Sequence, residues 1–263
     1  MIVKAEILEL LYSKYNKKAY IHPDPLEFLY NYEDIKDREI VGIIGASLAY
    51  GRVSQILKDV SIVLEKMEHP YEFILNSNFE SLKQNFKGFV HRYTDENDLI
   101  EFLLNLKKVI EQFGSLHDAF KSGLKDEDQN VVPALSNFIK LLTPEERKNS
   151  LLPSSNCKSP CKRLNLFLRW MVRSDEVDPD GWNDISASKL VIPLDTHMHH
   201  ISLVLGFTTR KQADMKAALE ITKNFKLISP EDPVKYDFCL TRLGIRDDTD
   251  MEGFFESYRR GNV

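Results

Sequence analysis

A chain of 263 residues, 43% hydrophobic and 29% charged, is long enough to bury a sizeable core, and its composition excludes a disordered or fibrous protein. The net charge of −5 counts against nucleic-acid binding as a bulk property but not against a local basic face, because binding depends on where the charge sits. Three cysteines are too few and too odd for a disulfide framework, so a reducing compartment is expected, with the cytoplasm as the default. No apolar run approaches the ~20 residues that span a bilayer, so no membrane partner is expected either.

In chain order, helical periodicity recurs almost throughout. Residues 2–18 place Ile7, Leu10, Leu11 and Tyr15 at helical spacing, so the opening is read as an amphipathic helix rather than a signal peptide. After Asp24-Pro25 comes a short helix, then Asp37 as the expected N-cap of a buried run ending at Tyr50-Gly51. Gly42, Gly45, Ala46 and Ala49 within that run suit close helix packing. A helix is predicted over 52–67, punctuated by His69-Pro70. A long one over 95–113 starts near Asp95 and stops at Gly114. Further helices are expected at 115–122, 131–142, 160–173, 195–205, 210–225, 232–242 and 252–259. A polar loop covers 123–130, and 144–160 is the most irregular stretch. Period-two alternation is confined to a few residues near 88–93, and no repeat is found. The class is all-α.

The densest signal lies in Cys161-Lys162-Arg163-Leu164-Asn165-Leu166-Phe167-Leu168-Arg169-Trp170-Met171-Val172-Arg173. On a helix, Leu164, Phe167, Leu168 and Met171 gather on one face and Lys162, Asn165, Arg169 and Arg173 on the opposite one. Arg163 and Trp170 lie together on the flank, and Leu166 intrudes on the cationic side. A solvated basic face is one reading; a strip that meets a phosphate backbone is the other. The second segment is Pro193-Leu194-Asp195-Thr196-His197-Met198 followed by an apolar helix ending at Gly206. Asp195 is placed as an N-cap, where the helix dipole and the first amides keep a carboxylate ionised.

These two segments together resemble the helix-hairpin-helix DNA glycosylases. In that superfamily an Asp follows a proline and precedes a helix, and in bifunctional members a Lys on an upstream helix is the nucleophile. Lys162 opens such a helix 33 positions before Asp195, a spacing similar to that of the archaeal 8-oxoguanine glycosylase branch. More closely, residues 161–173 and Ala46-Ser47-Leu48-Ala49-Tyr50-Gly51-Arg52 resemble a bacterial family labelled domain of unknown function 2400, over most of the chain. The resemblance implies one compact all-α unit of two helical lobes with the site in the cleft between them. One lobe is expected over 35–130, and the other combines 1–34 with 131–263. It implies excision of a damaged base, an oxidised purine first among them, from duplex DNA. Lys162 and Asp195 would be catalytic, and Arg163, Arg169, Trp170, Arg173, Arg52, Gln55 and His197 would contact DNA. A monomer without cofactor, metal or bound nucleotide is expected.

Departures from the superfamily are also legible. Leu-Pro-Ser-Ser-Asn-Cys-Lys-Ser-Pro stands where a Gly-rich hairpin usually grips phosphate, and a four-cysteine cluster cannot be built. Lys158 competes with Lys162 as nucleophile. Among His197, His199 and His200, only 197 and 200 share a helical face, and no carboxylate beyond the cap accompanies them, so a metal site is not expected. The turn Tyr50-Gly51-Arg52 is either a plain helix junction or a DNA-contacting one. Two other classes of function stay open: a DNA-binding protein that retains the scaffold without catalysis, and a helical protein-interaction scaffold using 162–173 as its interface.

Overall fold

Caps and breakers divide the chain into thirteen described α-helices, three short 3-10 helices and one two-stranded ribbon. The computed structural model describes residues 2–144, 149–153, 159–246, 249 and 251–260. Helix α1 (Ile2–Tyr15) is followed by a 3-10 helix over Pro25–Asn31, whose proline opens it and whose Asp24 accepts the Leu26 amide. Helix α2 (Ile35–Leu48) begins at Asp34 rather than at Asp37. The Asp34 carboxylate accepts the amides of Lys36 at 2.8 Å and Asp37 at 3.3 Å. Asp37 is instead buried and accepts the amide of Tyr71, tying α2 to the start of α4.

Next come α3 (Val53–Leu64), α4 (Pro70–Asn76) and α5 (Phe79–Asn85). The last two are short helices in a stretch for which the sequence predicts no element. Each has a local cause: Pro70 pre-sets the first turn of α4, and Asn78 with Ser81 forms a capping box on α5. The ribbon pairs β1 (Val90–His91) with β2 (Thr94–Asp95), antiparallel, where the brief alternation predicts extended chain. Helix α6 (Glu96–Phe113) starts at Asp95 and ends at Gly114 in the left-handed region, φ 87°, which a glycine adopts without a Cβ clash. Helices α7 (Leu116–Lys121) and α8 (Val132–Leu142) pack on α6.

The C-terminal half holds α9 (Lys162–Val172), α10 (Thr196–Val204), α11 (Met215–Lys226), α12 (Asp237–Ile245) and α13 (Met251–Arg260). Helix α11 starts five residues later than its periodicity predicts, because Asp214 takes the Ala217 amide and fixes the N-terminus there. Among the described residues, no helix is long and apolar enough to cross a membrane.

The buried apolar side chains form one cluster running from Leu8 to Tyr258. At its centre α2 crosses α9 closely, as the small residues of α2 predict. A Cβ at Gly42 would stand 3.2 Å from the Phe167 ring, and one at Gly45 3.7 Å from Trp170. Phe167 meets Trp182 edge-on at 5.1 Å, and Trp182 stacks on Phe120. Burying each large apolar side chain of α9 stabilises the fold by about 1.5–3 kcal/mol, so this helix is fixed chiefly from its apolar side. Glu39 on α2 is buried with them and accepts the amides of Leu116 and His117 and the Trp182 indole N–H. Burial nevertheless raises its carboxyl to about 7, against those three donors.

Candidate active site

Lys162 is the first residue of α9 and Asp195 the residue that caps α10, so two helix beginnings bring them together. Lys162 Nζ lies 3.6 Å from Asp195 Oδ2, with the two side chains 29% and 35% exposed. The other carboxylate oxygen of Asp195 accepts the Met198 amide at 2.8 Å, which fixes the side chain in the capping rotamer. Cys161, ahead of Lys162, is itself in the left-handed region at φ 47°, and no side chain caps α9. The amine therefore stands at a helix N-terminus beside a carboxylate that cannot swing away without uncapping α10.

The remaining cations of α9 do not form the basic face that the helical projection predicts. Arg169 is buried, its guanidinium bonded to Asp178 at 3.2 Å and to Asp237 at 2.5 Å. Arg173 is buried as well, against Asp178, Asp175 and Asp232. Trp170 is fully buried against α2. These three are corrected from DNA contacts to interior residues. Their partners sit far along the chain, at 175–178 and 232–237, where a projection of α9 alone does not see them. Nor does Arg169 stand as an uncompensated cation beside Lys162, because Asp178 and Asp237 neutralise it.

Arg163 lies between surface and core. It donates to the Ser47 carbonyl at 2.7 Å and the Ser150 carbonyl at 3.0 Å, with its guanidinium 5.1 Å above the Tyr50 ring. Burial is the main force lowering its affinity for a proton. Its donors are thus committed to backbone rather than to phosphate. Tyr50 in turn donates to the His91 carbonyl, and buried His91 pairs with Asp59 at 2.6 Å. Arg52 and Gln55 remain on the exposed turn and first turn of α3, Gln55 donating to Asp59 at 2.8 Å. Gly51 sits at φ 104°, a left-handed conformation that residues with a side chain rarely adopt.

The three histidines of α10 diverge. His197 packs its ring closely against Gly244 of α12, its Nε2 buried and without a partner, and burial holds its imidazole below the ordinary range against the pull of Asp195. That placement moves it from a DNA-facing residue to one wedged between α10 and α12. His199 bonds the Arg210 carbonyl, and His200 meets Phe255 edge-on at 6.2 Å. Among the described residues, no group of three or more metal-ligating side chains forms. Cys161 and Cys239 are both buried, and Cys239 is a free thiol. Lys158, the rival nucleophile, Cys157, and the acidic residues Asp247, Asp248 and Asp250 lie outside the described residues. A concavity of about 400 Å³ lies along the start of α6, lined among others by Asp95, Asp98, Asn105 and Lys108, and includes none of the predicted site residues.

Sequence reasoning misses two residues beside the pair. Asn165, one turn after Lys162, is buried, donates to the Pro160 carbonyl and leaves its Oδ1 unpartnered. Asp237 opens α12, which packs on α10, and is 1% exposed. Burial pushes its carboxyl up to about 6; Arg169 and Lys162 oppose that rise and Asp195 adds to it. No motif marks Asp237, so only the packing of α12 could have found it.

The arrangement defines a class: an all-helical protein carrying an amine and a carboxylate in contact at two helix N-termini. The chain belongs to the family described as "Protein of unknown function (DUF2400)", which matches residues 24–246 and so takes in both segments of the site. No curated protein and no solved structure matches it.

Proposed function

We propose that this protein is a base-excision DNA glycosylase with a lysine nucleophile, acting on a damaged base in duplex DNA, an oxidised purine foremost. The observation that carries the reading is the 3.6 Å approach of Lys162 Nζ to Asp195 Oδ2 in segments whose sequence resembles that superfamily. A two-lobed helix-hairpin-helix architecture with the pair in its cleft belongs to the same proposal. The chemistry assigns each group a part. Extruding the base exposes C1′ of its sugar at a modest unstacking cost, lowest for a lesion. The Lys162 amine attacks C1′ and forms an imine with the opened sugar. The Asp195 carboxylate, held by the Met198 amide, steadies the oxocarbenium charge that develops at C1′. Arg52, on the exposed turn, and Gln55, on the first turn of α3, are the contacts left for the duplex.

An imine between protein and DNA is reduced by borohydride to a stable covalent link, so trapping is the direct test. Duplexes carrying 8-oxoguanine or an abasic site are expected to trap the wild type, and Lys162→Gln is expected to reduce the trapped product to background. A wild type that traps nothing across oxidised, alkylated, deaminated and abasic duplexes removes the lysine mechanism.

One observation favours a second reading, a nucleic-acid-binding protein without catalysis. With Arg169, Arg173 and Trp170 inside the protein, Lys162–Asp195 also satisfies the description of an ordinary half-exposed ion pair. DNA binding without trapping or base release selects it.

A further inference from the structure

The tip of the β1–β2 ribbon is strained and buries nothing. The register pairs His91 with Thr94, which leaves Arg92 and Tyr93 as the two residues of the turn. Arg92 sits at φ 54°, in the left-handed region where a side chain crowds its own backbone. Both residues point away from the core: Arg92 is exposed, and Tyr93, at 79%, is the most exposed large apolar side chain among the described residues. The Arg92 guanidinium lies over the Tyr93 ring, 5.4 Å from its centroid. No burial offsets the strain, so the turn points to a contact made outside the fold. The flanking residues hold it in place. His91 and Thr94 are buried, His91 against Asp59 at 2.6 Å and Thr94 against Ser150 Oγ at 2.6 Å.

Two bridges tie this ribbon to the start of α9. The Tyr50 hydroxyl donates to the His91 carbonyl at 2.9 Å and meets Thr94 Oγ1 at 2.5 Å, while the Tyr50 ring carries the guanidinium of Arg163, the residue after Lys162. Ser150 forms the second bridge, its hydroxyl on Thr94 and its carbonyl accepting Arg163 at 3.0 Å. The ribbon also borders α3. A groove of about 310 Å³ between them is lined by Gln55, Lys58, Lys87 and Val90, among others. The Arg92 side chain lies over Gly51, the residue before Arg52. Four exposed cations, Arg52, Lys58, Lys87 and Arg92, thus belong to the ribbon and the elements beside it. The carboxylates of the same elements are engaged. Asp59 takes His91 and Gln55, Asp95 takes the amides of Asn97 and Asp98, and Glu96 takes the Gly88 amide. In a chain of net charge −5, this concentration of cations favours a polyanion over a protein partner.

We propose that the Val90–Asp95 ribbon is a DNA-binding finger, in which Tyr93 and Arg92 stack on an unpaired base while Arg52, Lys58 and Lys87 meet the phosphates. The inference rests on the reading above that the protein acts on DNA. Every base has a π face, so an exposed aromatic ring grips it whatever its identity, and a guanidinium over the ring adds a cation to the stack. A base within an intact duplex is already stacked and paired. One that faces a gap in the opposite strand has lost its partner and is drawn onto the ring at lower cost. The bridges through Tyr50 and Ser150 set that contact beside the start of α9, so the finger marks the damaged position for the helix that carries Lys162.

The test is fluorescence anisotropy with two labelled duplexes, one fully paired and one holding a single tetrahydrofuran abasic analogue, which leaves a base unpaired and cannot form an imine. Tyr93→Ala should weaken binding of the abasic duplex about tenfold and of the paired duplex by less than about twofold, while Tyr93→Phe keeps the wild-type affinities. Lys58→Ala and Lys87→Ala should each lower the slope of log affinity against log salt by about one unit on either duplex. A folded Tyr93→Ala that binds the abasic duplex as tightly as wild type overturns the inference and leaves the lysine reading intact. Equal losses on the two duplexes overturn it as well, because stacking on an unpaired base distinguishes them. A wild type that binds neither duplex at low salt overturns both readings. If Tyr93→Ala does not fold, Arg92→Gly decides. It relieves the left-handed position, so its melting temperature should not fall while its affinity for the abasic duplex does. Undiminished affinity in that variant overturns the inference.

Discussion

The two ends of α9 carry similar charges and meet opposite fates. At its beginning, Lys162 faces one carboxylate and stays almost one-third exposed. At its end, Arg169 and Arg173 are sealed among Asp175, Asp178, Asp232 and Asp237. The difference lies in stoichiometry and solvent. A buried guanidinium is tolerable only when its charge is met, and four carboxylates from two distant segments do that for two arginines. A half-exposed lysine with a single carboxylate leaves its amine within reach of an incoming group. Cations on a helix are therefore no guide to a protein's surface until the carboxylates from the rest of the chain are in place.

The largest effect expected from this contrast is on stability. Asp178→Asn removes a partner shared by both arginines and should destabilise the fold by about 3–5 kcal/mol in chemical denaturation. Lys162→Gln at the other end should cost about 1 kcal/mol or less, as half-exposed ion pairs do. Equal losses at the two ends would break the comparison. Next in size is Asp195→Asn, which keeps much of the cap but removes the charge. Its stability should change little, while turnover should fall by about 10²-fold or more in a base-release assay. A variant that loses helicity before activity would make Asp195 a cap and nothing else. The smallest effect concerns Arg52. If it contacts one phosphate, Arg52→Ala should lower the slope of log affinity against log salt by about one unit. Anisotropy titrations at several salt concentrations read it. Were Arg169 or Arg173 to change the slope with the fold intact, the burial of that end would be in question.

Much of the architecture was legible because it is written locally. Asp95 and Gly114 bound α6 where cap chemistry places them, and the small residues of α2 mark its crossing with α9. Lys162 and Asp195 were legible as a pair because each opens a helix within a recognisable segment. What stayed hidden depends on tertiary contact. Asp34 competes with Asp37 for the α2 cap, and only the contact of Asp37 with Tyr71 explains the outcome. The arginines of α9 turn inward because of Asp178 and Asp237, whose own sequences look like ordinary turn and helix acid. His197 is wedged on Gly244, a contact between helices that neither helix announces.

The grip of Arg163 has a consequence for how this protein can vary. Its guanidinium is nailed to the carbonyls of Ser47 and Ser150 and stacked on Tyr50, and it sits one peptide bond from Lys162. The aim of the amine is thereby anchored to three points more than ten residues away in sequence, two of them through backbone atoms that no side-chain substitution erases. Lysine at 163 would supply a point charge where a planar fork now spans two carbonyls, and would let the start of α9 pivot. Drift at 47–50 or near 150 would then be felt as a change in where Lys162 points, long before it is felt as a loss of fold.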